Sequence, residues 1–266
     1  MKNFKNILIV AVIAVITFGS CEKLDEVSDN SSETVQSQLK DTPPVIAPYL
    51  QPEILTNIQL MKIGQDHNDN LEKVFVNFNW ESKDFKQELI NNFKLNSIPL
   101  KKYSDEDLYS RCCYDFFDNY NLLKNKLSEF SIKLIDNALL MTEDIKSIKG
   151  FNDRIDIFKE NARSELKNNN EELNSLLVTL EVLKYSAYFW SPKSVGGSGV
   201  GYDYILRKEK AKEKVKEIIA ADGVSAGVGM IGVAVAGACG PIGWIALAIV
   251  AGEAALSSGA AALLQK

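Results

Sequence analysis

Histidine is almost missing from this chain: His67 is the only one in 266 residues. Any catalysis that needs an imidazole must use it. It stands in the polar run Gln65-Asp66-His67-Asn68-Asp69-Asn70, with no nucleophile elbow or catalytic cysteine motif beside it, and reads as a solvated loop histidine. Cysteine is scarce too, at Cys21, Cys112, Cys113 and Cys239 only. No pair has a zinc or redox spacing. Adjacent Cys112 and Cys113 cannot bridge each other without strain, so the three cysteines after Cys21 are expected as small buried hydrophobes. A bridge from Cys112 or Cys113 to Cys239 is the alternative. Basic residues fall short of acidic ones, 30 against 35, which makes the chain a poor match for nucleic acid or anionic lipid. Strand-like alternation is confined to Leu71–Trp80, where helix is still preferred, so the expected class is all-α.

The same scarcity bears on ligands. Asp66, Asp69 and Glu72 lack the alternating acids and mid-loop glycine of a calcium loop, so no metal or cofactor is expected. Carboxylates are plentiful enough for a paired-acid hydrolase, but there is little sheet to hold a cleft. Tyr185, Tyr188, Phe189 and Trp190 are the best aromatic platform for a sugar. At helical spacing they are expected in a core or an interface instead, so no small-molecule substrate and no enzyme activity are expected.

What is present begins at the N-terminus. Lys2 and Lys5 precede a run from Ile7 to Phe18 that is apolar except for Thr17, then Gly19-Ser20 and Cys21, the layout of a secretory signal peptide. The run is shorter than the roughly 20 residues a spanning helix needs. Phe18-Gly19-Ser20-Cys21 resembles the lipobox of bacterial lipoproteins, with Phe18 in place of the usual leucine, as in lipoproteins of the Bacteroides group. The resemblance implies cleavage before Cys21 and lipid on that cysteine, anchoring the chain to a membrane. Glu22-Lys23-Leu24-Asp25-Glu26 is similar to the acidic export signals of that group, which implies the outer membrane and its surface. Without residues 1–20, 28 basic residues face 35 acidic ones and the net charge deepens from −5 to −7. Membrane affinity would then come from covalent lipid, at about 0.8 kcal/mol per buried CH₂.

The mature chain divides by composition. Residues 21–52 are acidic, polar and proline-punctuated, a flexible tether. Residues 53–190 carry helical periodicity. One helix is expected to open at Ser104, to bear the stripe Phe116, Tyr120, Leu123, Leu127, Phe130 and Leu134, and to end near Gly150. A second stripe runs from Phe151 to Leu166 and from Leu173 to Ala187, so the body is expected as an elongated antiparallel helical hairpin or bundle. Ser191-Pro192 stops the helix, 191–204 is a glycine-rich linker, and 205–221 is a charged, solvated helix.

Residues 222–266 are unusual. From Gly223 to Leu264 the only charged residue is Glu253, and Gly240-Pro241 marks a turn between two apolar arms. Small residues at four-residue steps, Gly223/Gly227 and Gly232/Ala236/Gly240, allow close helix packing, and Pro241 and Trp244 flank the turn. Arms of about 17 and 21 residues are near the length that crosses a bilayer. Two destinations are open: a second membrane contact through 223–264, or the buried core of the body. Two functions follow from them. One is a non-catalytic envelope lipoprotein with a structural or partner-binding role. The other is an effector that inserts the hairpin into a target membrane, as glycine-rich hairpins do in some bacteriocin-like and pore-forming proteins. A general likeness to Bacteroides-group proteins with a helical body, a tyrosine–tryptophan helix end and a Gly/Ala-rich tail brings no activity with it.

Overall fold

Thr56 accepts a bond from Gln59 N while the Gln59 side chain accepts from Thr56 N, so two orphan donors are satisfied at once and a helix starts here. This helix, α1, spans Asn57–Asn77 in a computed structural model that describes residues 52–96, 104–106, 116–205, 211–235 and 244–264. Cys21, the lipobox, the tether, Cys112, Cys113, Cys239, Ala236, Gly240 and Pro241 lie outside the described residues. α1 runs straight through the polar stretch expected as a loop. Its buried face is Leu60, Ile63, Gly64, His67, Leu71, Val74 and Phe75, so the intervals stay helical once Gly64 and His67 are counted as core.

The helix expected from Ser104 to Lys149 is broken. α2 covers Phe85–Asn96, α3 covers Phe116–Lys124 and α4 covers Glu129–Met141, followed by a short 3₁₀ turn at Thr142–Asp144. Ser128 caps α4 by accepting from Ser131 N, which turns the heptad-like stripe into two helices. Gly150 does not end a helix either. Ser147 accepts from Gly150 N and opens α5, Ile148–Glu165. After the turn Leu166–Asn169, α6 runs from Asn170 to Trp190 and stops at Ser191-Pro192. The contacts Lys159 to Glu181 and Asp156 to Lys184 show that α5 and α6 are antiparallel.

α6 is the axis of the molecule. Every residue from Glu172 to Leu183 is buried, because α1, α4, α5 and α8 close around it. α7 (Val200–Ile205) is reached through a packed turn rather than a loose linker. There Gly196 and Gly199 take φ values of 90° and 76°, a region other residues enter at a cost, and a β-carbon on Gly197 would stand 2.2 Å from the Ser191 carbonyl oxygen.

The charged segment and the first apolar arm form one helix, α8, Ala211–Val235; the second arm is α9, Trp244–Leu264. They pack on each other. α8 lies against α6 and α3, and α9 lies against α1 and α2. Gly223 meets Leu183 and Gly227 meets Thr179, where β-carbons would come within 2.3 and 2.2 Å of those side chains. Gly259 faces Leu89 and Phe93 of α2 less tightly, at 3.1 and 3.3 Å from where a β-carbon would stand. The hairpin thus joins the core with Val224, Met230, Val250, Leu256 and their neighbours. Among the described residues no helix is long and apolar enough to cross a membrane. The fold is all-α: every regular element among those residues is helical.

Candidate functional site

Polar residues inside an apolar core mark the place where the sequence departs from simple packing, and one such group lies where α1, α6 and α8 meet. α6 presents Ser186 and Trp190, one turn apart on one face, and α8 presents Asp222 at the point where its charged half gives way to its apolar half. α1 presents His67. All four are fully buried. Ser186 Oγ donates to Asp222 Oδ2 at 2.5 Å, and Trp190 Nε1 donates to the same oxygen at 3.1 Å. His67 Nε2 lies 3.2 Å from Oδ2, close enough for an ion pair but not aligned as a hydrogen bond. Asp222 Oδ1 makes no hydrogen bond among the described residues.

His67 is held from its other side. Its Nδ1 lies 2.9 Å from Asn68 Oδ1, and Asn68 Nδ2 donates to the Tyr185 carbonyl at 3.0 Å. Gly64, one turn before Asn68, leaves room for the Tyr185 ring, since a β-carbon there would lie 2.1 Å from it. Burial, more than the charge of Glu181, raises the Tyr185 phenol above its ordinary pKa.

Serine, histidine and aspartate together invite comparison with an acyl-transfer triad, but the order is different. In a triad the histidine stands between the hydroxyl and the carboxylate and takes the serine proton. Here the carboxylate is in the middle and Ser186 gives its hydrogen bond to it. The hydroxyl bonds to the carboxylate rather than to an imidazole, and all four side chains are shut away from solvent. The geometry ties three helices to one oxygen atom.

Two other polar clusters sit along α6. Lys159 pairs with Glu181 in the core, and Asp156 Oδ1 lies 3.5 Å from Lys159 Nζ and 2.8 Å from Lys184 Nζ. Glu172 Oε1 accepts from Ser128 N at 2.8 Å and Ser131 Oγ at 2.6 Å, while Asn169 Nδ2 donates to Oε2 at 2.9 Å, so one carboxylate braces the starts of α4 and α6. The surface carries an open recess of about 470 Å³ between Glu143, Asp144, Pro192, Tyr202 and Lys216. It also carries an apolar ridge at Ile54, Ile58 and Met61.

The residues singled out for close packing divide accordingly. Gly223 and Gly227 face α6, Gly232 lies within α8, and Trp244 opens α9. Asp66, Asp69 and Glu72 lie on α1 rather than in a loop, and no metal-binding cluster occurs among the described residues. Trp190 and Phe189 are core residues, with Trp190 edge-on to Phe75 at 5.6 Å, whereas Tyr188 is exposed. Asp222 is inconspicuous in the sequence because it falls at the boundary between the charged helix, 205–221, and the apolar tail that begins at 222. Its signal is an acid directly against an apolar run. No protein-family model, curated protein or solved structure matches this chain.

Proposed function

We propose that the protein is a lipid-anchored, non-catalytic lipoprotein of the cell envelope, tethered through Cys21 to the outer membrane, with a structural or partner-binding role. One observation carries this reading: α8 and α9 pack on α1, α2, α3 and α6 and bury Val224, Met230, Val250 and Leu256, so the described residues of the apolar tail serve largely as core. Membrane attachment then falls to the lipid. Further support comes from Ser186, His67 and Asp222, which are sealed inside and engaged with one another or with Asn68.

The deciding experiment is liposome flotation of residues 22–266, which contain all the described helices and lack the lipidated cysteine. Under this reading that protein stays in the soluble fraction, and acyl labelling of the full chain disappears with Cys21→Ala. If the unlipidated protein floats and releases entrapped dye, the hairpin acts on bilayers and the membrane-inserting reading replaces this one. Retention of acyl label in Cys21→Ala removes the anchor.

A further inference from the structure

The hydrogen bonds around His67 fix more than its position. A backbone carbonyl can only accept, so the bond to Tyr185 O requires Asn68 to present its Nδ2 there and its Oδ1 to His67. His67 Nδ1 must therefore donate, 2.9 Å from Asn68 Oδ1. In a neutral imidazole that donation leaves Nε2 as a bare lone pair. It would then stand 3.2 Å from Asp222 Oδ2, an electron-rich nitrogen beside a carboxylate oxygen, with both side chains fully buried. One proton held by the pair replaces that repulsion by the attraction of an imidazolium for a carboxylate. Asp222 is the poorer home for it. Oδ2 already accepts from Ser186 and Trp190, and a proton on Oδ1 would find no acceptor among the described residues. We infer that the folded chain holds an additional proton on His67, making a buried imidazolium–carboxylate pair that fastens α8 to α1 and α6 as a proton-linked latch.

Other charges on the surrounding helices leave this pair to itself. On α1, Asp66 is paired with Lys62, and Asp69 and Glu72 are exposed; on α6, Glu181 is paired with Lys159 and Lys184 with Asp156. Asp203 of α7 and Lys216 and Glu217 of α8 are exposed, and Glu253 of α9 lies beside Gly229, two turns along α8 from Asp222. Of the nearby phenols, Tyr185 covers Gly64 and Tyr204 stacks on Phe75.

The sign of the pH dependence follows from counting protons. Above the ordinary histidine value of about 6.5 the unfolded chain has a neutral histidine and an ionised aspartate, one proton fewer than the folded pair. Stability changes with pH as the protons bound unfolded minus those bound folded, so it falls as pH rises above that value. Losing the whole proton lowers the folding equilibrium constant by about tenfold per pH unit. Below about 3.9 the aspartate of the unfolded chain takes a proton as well, so the advantage is largest in between. The latch grips the hairpin most firmly in mildly acidic surroundings. This holds whether or not the chain is lipid-anchored.

Because His67 is the only histidine, its ring nitrogens can be observed by nitrogen-15 NMR in the intact folded protein without ambiguity. About one pH unit above the ordinary histidine value of about 6.5, both nitrogens are expected to carry protons. A neutral ring protonated at Nδ1 alone under those conditions overturns the inference. A second measurement compares urea denaturation of the wild type with His67→Gln over the same pH range. The wild type is expected to lose stability with rising pH by up to about tenfold per unit more than the variant. Equal slopes overturn the inference, and if the variant does not fold, the NMR result decides.

Discussion

Gly227 and Thr179 lie so close that a β-carbon on the glycine would stand 2.2 Å from the threonine hydroxyl oxygen. The contact permits α8 to lie directly on α6, and it excludes any larger residue. Gly227→Ala must push the helices apart or turn Thr179, whose hydroxyl donates to the Ser175 carbonyl at 2.9 Å. Overpacking of this kind costs about 1 to 3 kcal/mol. The expected result is a lower urea midpoint with unchanged slope, because the surface exposed on unfolding is the same. An unchanged midpoint would show that the helix pair accommodates the methyl group freely.

The buried pair Lys159–Glu181 gives a sharper test of charge in the core. Replacing one partner, as in Lys159→Met, leaves a buried carboxylate without its counter-ion, at about 3 to 5 kcal/mol. Adding Glu181→Leu to that change is expected to recover most of the loss, since apolar replacement of both partners is often neutral or stabilising. A double variant as unstable as the single one would mean that the pair itself supplies net stability.

Glu172 serves two helix starts, and its loss should be felt at both. Ser128→Ala removes the α4 cap and is expected to cost about 1 kcal/mol. Glu172→Ala should cost more, because Ser128, Ser131 and Asn169 all lose an acceptor. Thermal denaturation of the two variants side by side checks the order.

Tyrosine titration reads the α3–α4 contact. Burial first, and then donation of its hydroxyl to Asp136, holds the Tyr120 phenol well above the ordinary tyrosine range. The folded chain keeps this proton when the unfolded chain has begun to lose it near pH about 10. The contribution is therefore complete below that value and is lost as pH rises beyond it. In an alkaline ultraviolet titration, some of the nine tyrosines should ionise later in the folded than in the denatured protein, and Tyr120→Phe should remove part of that late signal.

Much of this architecture was legible where the chemistry is local. Ser191-Pro192 stops α6 as its missing donor requires, and Gly223 and Gly227 of the tail seat side chains of α6 directly on their backbone. Elsewhere a local signal was ambiguous. The run from Gln65 to Asn70 has the composition of a loop, yet it is helix, because Gly64 and His67 face inward and their polar neighbours mostly face water. Ser128 caps a helix that periodicity merges with the one before it, and Ser147 caps α5 at Ile148, ahead of the break expected at Gly150. The polar core group was not readable at all. His67, Ser186 and Asp222 are far apart in the chain, and only the packing of three helices brings them together.

The placement of α6 also governs when the body can form. During synthesis α6 emerges before α8 and α9, yet among the described helices α8 is the one it packs against most extensively. Local contacts with α5 can form early, while the apolar surface beside Thr179 and Leu183 must wait for α8. A product cut short before Gly223 would carry that surface uncovered, the condition that favours aggregation and proteolysis. The glycines of α8 thus close a surface that the earlier helices leave open.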